Sequence, residues 1–238
     1  MKLPETSLNT AEIKVNGKER LTLDADEIGD EHVGTASDTP MKADAFEMSD
    51  EEKMDKIAYH FGEIMDIMGL DLTDDSLRGT PDRVAKMYIK EIFSGLDPEN
   101  LPNVKLFDNK YKYNEMLVEK GVTVHSHCEH HFVPIIGQAH VAYISNGHVI
   151  GLSKINRIVR YFSKRPQVQE RLTEQIAAEL KRVLRTEDIA VIIDAKHMCV
   201  SMRGIEDASG STITSHYGGV FKTNDQKRNE FLKYIDMD

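Results

Sequence analysis

Residues 122–152 read VTVHSHCEHHFVPIIGQAHVAYISNGHVIGL, and the fold is decided there. Residues 122–127 alternate apolar and polar side chains, the period of a strand with one buried face. Residues 135–145 form a second run rich in Ile, Val, Ala and Tyr, and Gly137 inside it predicts a bend. Asn146-Gly147 is a strong turn pair, so the chain is expected to return as a hairpin through residues 148–152. Outward from this stretch the period changes. Residues 153–162 place Ile155, Ile158, Val159 and Phe162 on one helical face, with Ser153 as N-cap. Pro166 opens a longer helix carrying Val168, Leu172, Ile176, Leu180 and Val183, and strands are expected over 189–202 and 213–221.

Upstream, Ser49 and Glu52 have capping-box form ahead of Met54, Ile57, Ala58, Phe61, Ile64, Met65 and Met68, a helix ending at Gly69. A second helix starts at Thr80-Pro81, with Thr80 as N-cap, and stops near Gly95. The class is therefore α+β, an antiparallel sheet backed by helices. Residues 1–48 are expected to be a flexible acidic arm, 49–120 a helical region and 121–238 the domain that carries the chemistry. Short strands at 13–15 or 21–23 are compatible with the arm's sequence.

Of 238 residues 40% are hydrophobic and 29% charged, which excludes collagen-like and wholly disordered classes. A formal charge of −10 argues against a general binder of nucleic acid or anionic membrane. The first 50 residues hold 12 acidic and 5 basic side chains, so most of that charge sits in the arm. No apolar run approaches the roughly 18–20 residues that span a bilayer, and the first ten residues lack a leader's apolar core. A cytoplasmic protein is expected. Neither G-x-G-x-x-G nor G-x-x-x-x-G-K-[ST] occurs.

Chemistry concentrates in residues 125–131, HSHCEHH, which hold four of the ten histidines and one of two cysteines. Cys128-x-x-His131 has workable spacing for zinc. The other cysteine lies in His197-Met198-Cys199. On the expected strand, His197, Cys199, Ser201 and Arg203 would share one face, with Met198, Val200 and Met202 behind them. Cys128, His131 and Cys199 together make a Cys₂His set with one position open for water, the arrangement of a catalytic zinc. Two unrelated buried thiols, a Cys128–Cys199 disulfide, or a closed structural zinc with a further histidine are the competing readings. Around Ser153, Lys154 and Arg157 oppose the helix dipole, which suits a phosphate as well as a plain cap with solvated charges. Glu170, beside Gln169 and Arg171, is favourable for helix reasons alone; it also suits the planar N1/N2 edge of guanine.

These strings carry a resemblance. RVAKMY (83–88), SHCEHHFV (126–133), GLSKINR (151–157), QVQERLT (167–173) and HMCVSMRG (197–204) resemble GTP cyclohydrolase I of the zinc-dependent type, in family order across residues 52–234. The arm before Ser49 matches no family motif. The resemblance implies hydrolysis of GTP to 7,8-dihydroneopterin triphosphate and formate, the first step towards tetrahydrofolate and other pterins. It implies attack of zinc-activated water on guanine C8, ring opening, an Amadori-type rearrangement of the ribose and ring closure. Cys128, His131 and Cys199 fall on its zinc ligands, and His130 and His197 on its proton-handling histidines. Gln169 and Glu170 fall in the guanine segment, and Ser153, Lys154, Arg157 and Arg203 on ribose or triphosphate positions. Arg83 and Lys86 would add phosphate contacts from a neighbouring subunit. The implied fold is the tunnelling fold, in pentameric rings that stack as a decamer with sites at subunit interfaces.

Two other classes are weighed against it. His127-Cys128-Glu129 satisfies the H-x-E of zinc nucleobase deaminases, but their P-C-x-x-C is absent. A nucleotide-binding protein that had lost turnover would not be expected to keep ligands, histidines and phosphate cations together.

Overall fold

The computed structural model describes residues 36–237, together with the backbone of Ile13–Val15 (β1) and Lys18–Arg20 (β2). β1 and β2 pair antiparallel with Ile13 opposite Arg20; β1 is the first of the two alternative short strands compatible with the arm's sequence, and β2 was not anticipated. The strand expected at 21–23 lies outside the described residues, as does most of the expected flexible arm.

In the main unit, Asp50–Ile67 is helix α1, and its capping box forms as read: Glu52 N–H donates to Ser49 Oγ at 3.2 Å and Ser49 N–H to Glu52 Oε2 at 3.0 Å. Thr80–Lys86 is α2, with Pro81 in its first turn; Gly79, one residue earlier than expected, is the N-cap. The helix does not run on regularly to Gly95, since Met87–Ile92 widens into i→i+5 turns.

The sheet strands follow. Leu106–Asp108 is β3, Met116–Cys128 β4, Pro134–Ile144 β5 and His148–Ile150 β6. Leu152–Ser163 is helix α3, Pro166–Gln167 strand β7, Gln169–Leu184 helix α4 and Ile189–His197 strand β8. Met198–Ser201 is a single turn, α5; Thr212–Tyr217 is β9, and α6 (Gly219–Thr223) and α7 (Asp225–Ile235) close the chain. The main sheet has order β7-β4-β5-β8-β9, antiparallel except for the two-residue parallel pairing of β7 with β4. It is α+β, as expected. α3 and α4 cover one face, burying Ile155, Ile158, Leu172, Ile176 and Leu180 against Val124, Val141 and Val191. On the other face Phe221 and Phe231, from α6 and α7, pack on Met116, Ala142, Ala190 and Ile192.

Several expectations need correction. The turn at Asn146-Gly147 forms, with Gly147 at φ +83°, but no hairpin follows. β6 pairs with β3 instead, because Asn109 N–H bonds the Gly147 carbonyl at 3.0 Å and pulls the returning arm off β5. Gly137 marks no bend. A Cβ there would lie 2.1 Å from the Asp194 carbonyl, so the glycine lets β5 and β8 approach. The irregularity sits between Glu119 and Val122, where Gly121 has φ +71°. Gly151, not Ser153, caps α3, and Pro166 ends up in a strand, with the helix starting at Gln169. The last expected strand stops at Tyr217 and turns helical at Gly219.

The strand expected over 189–202 ends at His197. Its last pair is Ile135 with His197, and the next residue of β5 is Pro134, which has no N–H to continue the ladder. The chain turns into α5 instead. Cys199 therefore reaches the site from a helical turn rather than from a shared strand face.

Candidate metal centre and its surroundings

β4 ends at Cys128, and the chain makes a tight turn before β5. Cys128 N–H donates to the Val133 carbonyl at 2.9 Å, and Phe132 N–H to the Cys128 carbonyl at 2.9 Å. Phe132 is held at φ +54°, uncommon for a bulky residue, with its ring packed 5.2 Å from that of Phe93. This turn aims Cys128 and His131 at Cys199, so that one ligand atom from each lies within 4.8 Å of the others. Cys128 Sγ is 4.0 Å from His131 Nδ1.

The donor set fits zinc chemically. Both cysteines are free, so the disulfide reading is not realised. Burial, together with the adjacent Cys128 sulfur, pushes the Cys199 thiol from 9.0 up to about 11. A cation beside the Cys199 sulfur would favour its thiolate form. Two thiolates and an imidazole are the ligands a divalent zinc prefers, and they leave one coordination position open. On the solvent side Arg203 Nη1 lies 3.0 Å from His131 Nε2.

His197, the last residue of β8, sits beside this group. Its Nε2 is 2.8 Å from Gln169 Oε1. Gln169 is 1% exposed. Its amide nitrogen donates to the carbonyls of Ile193 (3.1 Å) and Thr212 (2.8 Å) and to Thr214 Oγ1 (3.1 Å). With that nitrogen so fixed, Oε1 is the acceptor and His197 Nε2 the donor. In the neutral ring Nδ1 is then the basic nitrogen. Burial lowers the His197 pKa, partly offset by Glu170, and so favours this neutral form.

Cys128, His131, Cys199, Arg203, His197 and Gln169 are brought together, as is His130, whose Nδ1 lies 3.8 Å from Cys128 Sγ; the candidates on α2 and α3 make other contacts. Ser153 and Arg157 are exposed on α3, and Lys154 donates to the Asn103 carbonyl at 2.8 Å. Arg157 lines a cleft of about 580 Å³ with Arg160 and Lys164. Arg83 bonds Ser76 O (3.2 Å) and Thr80 Oγ1 (3.0 Å), and Lys86 is exposed on α2. None of these hydrogen-bonds or ion-pairs with the cysteines or His131 among the described residues. Glu170 is exposed at the start of α4. Sequence reasoning did not single out the pair Glu129–Arg171, although both residues stand in quoted motifs. A charged residue on the otherwise buried face of α4 was the available signal.

Comparison with known proteins gives the family. A model of the family described as GTP cyclohydrolase I matches residues 57–236. The chain is 60% identical over 213 residues to a GTP cyclohydrolase 1 of Flavobacterium johnsoniae, covering 90% of this chain and 95% of that one. It is 54% identical over 195 residues to one of Vibrio parahaemolyticus (82% and 89% covered), and 52% identical over 203 residues to one of Escherichia coli (85% and 91%). With Cys128, His131 and Cys199 gathered as a group that could hold a metal and most of its length matched, the chain belongs to the GTP cyclohydrolase I family of hydrolases.

Proposed function

We propose that this protein is a zinc-dependent GTP cyclohydrolase, converting GTP to 7,8-dihydroneopterin triphosphate and formate as the entry step to tetrahydrofolate and other pterins. The observation that carries the reading is the convergence of Cys128, His131 and Cys199, from two distant segments, beside an oriented His197. These three residues would hold the zinc, which when bound supplies the Lewis acidity that makes water nucleophilic near neutral pH. His197 accepts a proton at Nδ1 while Gln169 fixes its Nε2–H. His130, on the same turn as the ligands, is the second proton carrier. Hydrolysis at guanine C8 opens the imidazole ring and releases formate; the Amadori-type rearrangement of the ribose and closure of the pterin ring follow.

Glu170, exposed at the first turn of α4, takes the N1/N2 edge of guanine, and Gln169 serves that segment from inside by holding His197. Ser153, Lys154, Arg157 and Arg203 take the ribose and triphosphate, with Arg83 and Lys86 added from a neighbouring copy. Separation of the α2 and α3 cations from the metal group within one chain supports a site completed between subunits, in pentameric rings stacked as a decamer of the tunnelling fold. Exposed Tyr59, Ile64, Ile67 and Met68 on and just after α1 support an assembly that covers them.

The deciding experiment measures formate and pterin release from GTP by zinc-loaded protein beside a chelated sample. Equal yields that vanish on chelation are expected. Bound zinc without formate would leave a structural metal and overturn the reading.

A further inference from the structure

Glu129 lies between two groups that need it for different reasons. One carboxylate oxygen, Oε2, accepts from Arg171 Nη1 at 2.8 Å and is also bonded by Nη2. The other, Oε1, faces His130 Nε2 at 3.8 Å. Arg171 is buried, its side chain 3% exposed, and its Nε has no hydrogen-bond partner among the described residues. Glu129 N–H is itself fixed, donating to the Gln167 carbonyl of β7 at 3.0 Å. The carboxylate thus has a rigid support on α4 and one oxygen turned towards a ring beside the metal ligands.

From this geometry we infer that Glu129 is a positioning residue for His130, anchored by Arg171. The inference rests on the reaction proposed above. A separation of 3.8 Å exceeds a hydrogen bond, but such contacts commonly shorten when substrate fills a site. Arg171 makes the fork that keeps Oε2 occupied, and so determines which oxygen is left for His130. A purely structural reading gives Glu129 one duty, to neutralise a buried guanidinium. The two readings separate when that duty is removed.

The test compares wild type, Glu129→Gln and the double variant Glu129→Gln/Arg171→Met, which no longer buries an unpaired charge. For each, kcat and KM for GTP, zinc per chain and Tm are measured, and the His130 ring is located in a crystal structure of Glu129→Gln. Glu129→Gln is expected to lower kcat about 10–100-fold, the range for changing the hydrogen-bond partner of a metal-site residue, with KM within about twofold. Zinc content should stay at the wild-type level and the His130 ring should turn from its position. In the double variant Tm should recover while kcat stays low. Recovery of kcat along with Tm would overturn the inference and leave Glu129 a counter-ion only. Loss of zinc in Glu129→Gln would also overturn it, since the ligand turn rather than His130 would then depend on the carboxylate. If wild type releases no formate, the proposed reaction fails, and the ring position alone decides the inference: an unmoved His130 ends it.

Discussion

Gln169 and His197 show how one side chain can set the chemistry of another. Three oxygens around the Gln169 nitrogen fix which way the amide points, and that direction sets the His197 tautomer. Gln169→Ala would leave the buried Ile193 carbonyl without this donor, at about 1–3 kcal/mol for a buried group left unpaired. The expected result is a lower Tm and a kcat that falls more than KM rises, measured by thermal unfolding and steady-state kinetics. Cys199→Ser removes one of two sulfurs from the metal group. It should release zinc and lower activity beyond the roughly 10–100-fold cost of changing a ligand's hydrogen-bond partner. Wild-type zinc content in that variant, by metal analysis, would remove Cys199 from the ligand set.

Among the elements, β5 and β8 are pressed together at Gly137. Gly137→Ala would drive a methyl to within 2.1 Å of the Asp194 carbonyl and 2.5 Å of the Ala195 Cβ. Overpacking of this kind costs about 1–3 kcal/mol. A drop in Tm with unchanged zinc binding is expected; an unchanged Tm would mean the strands separate freely there. The same elements show what could be read in advance. Alternation in β4, the apolar run of β5 and the Ser49–Glu52 cap are written in consecutive residues, and all appear where the sequence puts them. Cys128-x-x-His131 was legible for the same reason. Pairing of β6 with β3, and the end of β8 opposite Pro134, depend on partners far along the chain. No local period carries that information, so Cys199 was placed on the wrong kind of element, though it does group with Cys128 and His131. The Glu129–Arg171 pair and the Gln169–His197 bond were hidden likewise, each joining segments that meet only in the fold.

At the scale of the molecule, Arg203 reaches His131, but among the described residues none of the α2 and α3 cations assigned to triphosphate hydrogen-bonds or ion-pairs with the residues assigned to zinc. Activity should therefore depend on assembly. Light scattering should give a large multiple of the 27.0 kDa chain, and dilution below the dissociation range should abolish formate release together with that mass. A fully active monomer would refute shared sites.

β9 gives assembly a second importance. It is the last strand of the main sheet, and its outer edge offers the hydrogen-bonding groups of Thr212–Tyr217 to whatever extended segment reaches them. In the proposed ring a neighbouring copy would cover this edge, and a copy that had not met one would carry it open to aggregation. In such a ring the yield of usable protein would depend on how well copies recognise one another as well as on a single copy's own stability.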